Sequence, residues 1–289
     1  VAKKLAQELI NAGAHFGHGQ NRWNPKMAPF IFTKRGNIHI IDIKKTLKGL
    51  LIAKKLLADI VSSGKDVVFV GTKRQAQKAA EAASKKCGMH YVSQRWIGGT
   101  LTNFRTIRSQ LQKLEQLEAM EREGTFESAS KKQASKFKRE LRKLKANLEG
   151  IRNMSRLPGA VIAVDAKKEY IALREAKKLG VLTIGLLDTD ADPDNVDVVI
   201  PINDDSIRAI ELIFNELADA VSVGKTMVHA HAETPRPRRA RSRRDVLARA
   251  DDKSQTTVAV EQTSPEDSNS SGLQQGQADQ SVNPAGTEH

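Results

Sequence analysis

The chain has 289 residues, a formal net charge of +13 and 4% aromatic residues. That length allows one large domain or two small ones with a real core, and the scarcity of rings argues against an aromatic-lined hydrolase pocket. The positive balance points to a polyanionic partner, and the single Cys87 excludes an intramolecular disulfide and the usual multi-thiolate zinc sites.

In chain order, Ile38 to Asp42 reads as a strand and Leu47 to Val61 as a helix ended by Gly64. Asp66 to Val70 is a buried-type strand, followed by Gly71-Thr72 and a helix from Ala76 to Lys86. Ala160 to Val164 is the next strand, then a helix from Glu169 to Leu179 capped by Gly180. Val181 to Leu187 and Val198 to Ile200 are further strands. Asp204 or Asp205 is expected to cap a last helix that ends at Gly224. Alternating helices and continuously apolar strands predict an α/β fold, a parallel sheet with helices on both faces.

Between Thr102 and Ile151 the rhythm changes. Phe104, Ile107, Leu111 and Leu114 repeat at three and four, and the spacing resumes at Phe137, Leu141, Leu144, Leu148 and Ile151. Two narrow apolar seams with charged outer faces predict an inserted α-helical coiled-coil hairpin that projects toward a partner. The expected organisation is thus a body over 1–101 and 152–225, a hairpin over 102–151 and a tail over 226–289. The tail is Arg-rich (+5 over 226–250), then acidic (−6 over 251–289), and too poor in apolar residues to fold, so disorder is expected. Taking both from +13 leaves +14 on residues 1–225. No apolar run reaches transmembrane length and no signal-peptide core opens the chain, so neither a membrane partner nor export is expected.

The segment Gln94 to Arg108 combines Gly98-Gly99, Trp96 and three arginines, Arg95, Arg105 and Arg108. Backbone donors, cations and a flat ring suit phosphate binding and stacking. Gly71-Thr72-Lys73-Arg74 follows a strand and opens a helix, a natural anion site that Lys73 and Arg74 reinforce. Arg22 and Lys26 flank Trp23, which either stacks on RNA or plugs its loop onto the body. Trp96 carries the same two readings. Gly224-Lys225-Thr226 mimics the end of a P-loop, but Asp219 stands where its first Gly belongs. Asp188, Asp190 and Asp192 mimic a calcium loop, yet Pro193 and Val199 break the pattern, leaving at most a loose magnesium contact. His15 and His18 lack further ligands nearby in sequence, so no metal and no cofactor are expected.

Taken together, several motifs resemble the bacterial or organellar type of the second small-subunit ribosomal protein, the ribosomal protein S-two family. They are Gly13-Ala14-His15-Phe16-Gly17-His18, Arg22-Trp23-Asn24-Pro25-Lys26-Met27, Phe69 to Arg74, Arg95 to Arg108, Gly124-Thr125-Phe126, Leu157-Pro158, Asp188-Thr189, Asp192-Pro193, Ile200-Pro201 and Asn203-Asp204-Asp205. The resemblance covers about residues 1–225. It implies a flavodoxin-like body with the inserted hairpin, near the head–body junction of the small subunit. It also implies contact with ribosomal RNA, docking of the large mRNA-binding small-subunit protein, and a ribosomal location in the cytoplasm or an organelle. Met154-Ser155-Arg156-Leu157 departs from the Gly-Gly of many bacterial members, and the tail lies outside the shared region.

The expected function is structural and without catalysis. RNA-binding candidates are Arg22, Trp23, Lys26, Lys73, Arg74, Arg95, Trp96, Arg105 and Arg108. The competing readings are an enzyme that binds a nucleotide or sugar phosphate at the sheet's switch point, and a free RNA chaperone.

Overall fold

A computed structural model describes residues 2–124 and 130–233. Its main sheet has five strands: β4 (Val67–Val70), β5 (His90–Val92), β6 (Ala160–Val164), β7 (Leu182–Leu187) and β8 (Val198–Pro201). Their order is β5-β4-β6-β7-β8, all parallel, which is the flavodoxin-like order 2-1-3-4-5. Alternation along β4 sends Val67 and Phe69 to one face and Val68 and Val70 to the other. Both faces are covered, so each strand is apolar throughout.

On the first face lie α1 (Ala2–Asn11), α2 (Ile43–Ser62), α3 (Gln77–Cys87) and α7 (Ile207–Glu233), which contribute Leu9, Leu50, Ala80 and Phe214 to one core. Phe214 meets Phe69 edge-on, with ring centres 5.5 Å apart. On the second face α6 (Tyr170–Lys178) packs beside the roots of α4 (Phe104–Arg122) and α5 (Lys131–Leu148). The connection 125–129 lies outside the described residues. Helices α4 and α5 lie side by side, tied by Lys113 to Glu140. Their seam of Ile107, Leu111, Leu114, Leu117, Leu141 and Leu148 runs into the second core, where it joins Val68 and Val70. The pair is therefore rooted in the body by the same apolar surface that holds its two helices together.

Three sequence expectations change. Ile38–Ile41 forms a strand, β3, but sits in the middle of a separate antiparallel sheet between β1 (Phe16–Gly19) and β2 (Ile31–Arg35). Helix α2 starts before Leu47, at Ile43, because Asp42 accepts a bond from the Lys44 amide at 2.8 Å. Ser206, not Asp204 or Asp205, accepts the Ala209 amide at the start of α7.

Helix α7 also runs through Gly224 to Glu233. Gly224 is there for close approach: a β-carbon on it would stand 2.8 Å from the Ala58 carbonyl oxygen and 3.0 Å from Val61 Cβ on α2. Of the expected tail, residues 226–233 continue this helix, and 234–289 lie outside the described residues.

Candidate nucleic-acid interface

The Gly98-Gly99 loop opens onto α4, and Gly99 takes φ +91°, a conformation that costs a glycine little. Its amides turn inward. Glu175, on α6, accepts Gly99 N at 2.7 Å and Trp96 Nε1 at 3.3 Å on one oxygen. On the other it accepts Leu101 N at 3.0 Å, Thr102 N at 3.1 Å and Thr102 Oγ1 at 3.2 Å. Burial pushes the Glu175 carboxyl up, but these donors outweigh it and hold it below the usual range. Trp96 is 6% exposed and donates to this internal network, as a plug would.

The Gly71-Thr72 turn is arranged in the same way. Thr72 N donates to Glu169 Oε1 at 3.0 Å, and the Thr72 hydroxyl donates to the same oxygen. Lys168 Nζ donates to the Thr72 carbonyl at 3.1 Å. Burial, opposed by the Thr72 bonds, leaves Glu169 above the ordinary glutamate range. The Lys73 ammonium lies 2.6 Å from both Asp204 and Asp205. Desolvation pulls its pKa down, and the two carboxylates more than reverse that. Sequence spacing assigns both turns to an external anion, whereas the fold supplies a carboxylate of its own to each.

The other candidates separate cleanly. Lys26 pairs with Asp192 at 3.2 Å and Asp194 at 2.5 Å. Trp23 is half-buried, with its ring 5.0 Å from that of His39, as a loop plug would be. Arg22, Arg74, Arg95, Arg105 and Arg108 are exposed and have no carboxylate partner among the described residues. Arg108 extends over the Phe104 ring at 6.0 Å, one turn from Arg105.

The three loop aspartates also diverge. Asp190 meets Lys167 at 3.3 Å, Asp192 caps a short turn by accepting Asp194 N, and Asp188 is buried against His18. They do not converge on one point as magnesium ligands would. The structure instead gathers His18, Asp188 and Asp204, whose donor atoms lie within 4.8 Å of one another, a grouping invisible to sequence spacing. One imidazole and two carboxylates are a fitting donor set for a divalent metal. Two cations already balance that charge. His18 Nδ1 stands 2.8 Å from Asp188, which raises its pKa to about 9, and Lys73 holds Asp204. A metal ion there would have to displace the His18 proton and compete with Lys73.

Among the described residues, a dense unpaired charge lies on α5. Lys131, Lys132, Lys136, Lys138, Arg139, Arg142, Lys143 and Lys145 make eight cations against Glu140 alone, and Glu140 is taken by Lys113 of α4. A cleft of about 1240 Å³ runs between this helix, α4 and the Gly98-Gly99 loop. Lys132, Lys136, Arg139 and Lys143 line it together with Arg95. Sequence reading passed over these residues as a solvated outer face. The signal was the ratio of eight to one within a single helix.

The ribosomal protein S2 family description matches residues 9–224. The chain belongs to that family. It is 53% identical over 232 residues to the "Small ribosomal subunit protein uS2" of Rhodopirellula baltica, covering 80% of this chain and 89% of that relative. The family match includes the whole of α4, α5 and α6 and ends inside α7. It therefore spans both internal carboxylate networks and the cationic cleft. No helix among the described residues is long and apolar enough to cross a membrane.

Proposed function

We propose that the chain is a non-catalytic structural constituent of the small ribosomal subunit, anchored to ribosomal RNA through α5 and the unpaired arginines. The observation that carries this reading is the charge of α5. Lys132 with Lys136, Lys138 with Arg142 and Arg139 with Lys143 are like-charged neighbours four apart. Each such pair weakens a helix by about 0.2–0.5 kcal/mol. A helix that works against its own stability in this way is built for an external polyanion. Phosphates remove the repulsion, and the displaced counterions drive binding.

The relative's name supports the subunit assignment. The body is then free to meet neighbouring ribosomal proteins, including the large mRNA-binding one, and the location is the ribosome. One contact weighs against the enzyme reading. At the switch point between β4 and β6, the amide that would cradle a phosphate is spent on buried Glu169. The test is sucrose-gradient fractionation of cells carrying tagged chain. Co-migration with small subunits is expected. Charge reversal at Lys136, Arg139, Lys143 and Arg95 should shift it toward the top of the gradient, and retention of that variant on subunits would overturn the reading.

A further inference from the structure

We infer that the cleft between α4, α5 and the Gly98-Gly99 loop receives an unpaired nucleotide of the bound RNA. Its rim cations hold the flanking phosphates. This rests on the RNA reading above and adds what the RNA must look like there.

Phosphate binding alone asks only for exposed cations, and most of α5 supplies them on open surface. The cleft is different. Its volume of about 1240 Å³ is ample beside the roughly 300–1,000 Å³ typical of pockets for small organic ligands. Its lining is mixed: Ile97 from the loop, Leu144 from α5 and Ile171 from the start of α6 give it apolar patches between polar and charged side chains, Glu140 among them. Ile171 is 39% exposed and faces this space without a covering side chain among the described residues.

Two half-buried carboxamides, Gln110 on α4 and Asn147 on α5, point into the same recess. Neither side chain has a hydrogen-bond partner among the described residues. A carboxamide presents a donor and an acceptor side by side, the complement of a base edge. The apolar patches can flank the faces of a planar ring, and Lys136, Arg139, Lys143 and Arg95 line the same cleft and supply cations for a sugar-phosphate chain. A paired base in an A-form helix cannot reach such a recess, because its edges are turned inward. Loops and bulges splay their bases out and can. The fitting ligand is therefore a stem with an unpaired loop or bulge, the stem lying along α5 and one base entering the cleft.

The experiment uses the full chain and two RNAs of equal length and charge, a stem-loop carrying one 4-thiouridine in its loop and a blunt duplex. Fluorescence anisotropy should show a preference for the stem-loop on the order of tenfold, the size of one good base-edge pairing. Ultraviolet crosslinking of the unaltered protein should place the loop nucleotide on Ile97, Gln110 or Ile171. The double variant Gln110→Leu with Asn147→Leu, its fold checked by circular dichroism, should lose the preference and keep its duplex affinity. Lys136→Gln with Arg139→Gln and Lys143→Gln should weaken both RNAs. Equal affinity for the two RNAs, an unchanged preference in the double variant, or crosslinks confined to the outer face of α5 would overturn the inference and leave the ribosomal role standing. Salt-insensitive binding or no binding of either RNA would remove that role as well.

Discussion

Glu175 offers the sharpest energetic test of the fold. Replacing it with Gln keeps the shape and one carbonyl oxygen, which can still serve Gly99 N and Trp96 Nε1. The new amide group then faces the donors of Leu101 and Thr102, where the second carboxylate oxygen had been. Leu101 is 2% exposed, so its amide loses its partner without gaining water. Thr102 is exposed and can turn to solvent. One charge-assisted bond lost at a buried donor costs roughly 1.5–3 kcal/mol, and the weakened bonds to Gly99 and the indole add to it, so about 3 kcal/mol is expected. Urea denaturation should show this as a lower midpoint with an unchanged slope. The pH dependence supplies a second arm. Because the native carboxyl is held below its ordinary 4.5, its contribution is present above that pH and disappears as pH falls through the native value. The gap between wild type and Glu175→Gln should therefore close in acid. A loss under about 0.5 kcal/mol, well below the charge-assisted range, would refute the reasoning, as would a gap that persists in acid.

Three further outcomes follow from particular contacts. Removing the charge of Lys136, Arg139 and Lys143 should reduce the slope of log affinity against log salt by roughly 2–3, and an unchanged slope would take RNA off α5. Gly224→Ala should destabilise by about 1–2 kcal/mol, since the clash with Ala58 exceeds the gain in helix propensity, and thermal unfolding with an unshifted midpoint would contradict the close approach. His18 should titrate near pH 9 by NMR. With its native pKa raised from 6.5, the His18–Asp188 pair stabilises fully below pH 6.5 and is lost as pH rises through about 9, so His18→Gln should flatten that alkaline decline, and a midpoint near 6.5 would dismiss the pairing.

How far the sequence carries depends on the range of each interaction. Strands β4, β6 and β7 were legible because burial on both faces leaves continuous apolar runs. Strand β5 was missed, since His90 and Tyr91 interrupt the run, and β2 was missed because it is almost wholly exposed and shows no alternation. Gly224 was misread because a helix stop and a close helix crossing look alike in one dimension. The partners of the two candidate turns were hidden for a longer-range reason. The turns at Thr72 and Gly99 were correctly seen as clusters of donors, but their acceptors lie 97 and 76 residues away in sequence. Local reading counts the donors a turn exposes and has no means of knowing which carboxylate the fold will bring to them.

That limit sorts the cations. Among the candidates from sequence, both lysines, Lys26 and Lys73, are neutralised by aspartates, while the five arginines Arg22, Arg74, Arg95, Arg105 and Arg108 keep exposed guanidinium groups. A guanidinium is less strongly hydrated than an ammonium and meets a phosphate through two parallel bonds, so the groups left free are those best suited to the task. The internal carboxylates serve the same end. Glu175 fixes the loop that begins at Arg95 and the turn that leads to Arg105 and Arg108, and Glu169 fixes the turn that ends at Arg74. A phosphate seeking those backbone amides would first have to expel a buried, hydrogen-bonded carboxylate, at a cost no surface contact returns. The two turns thus hold arginines in position, and in the proposed complex RNA would meet side chains rather than these amides.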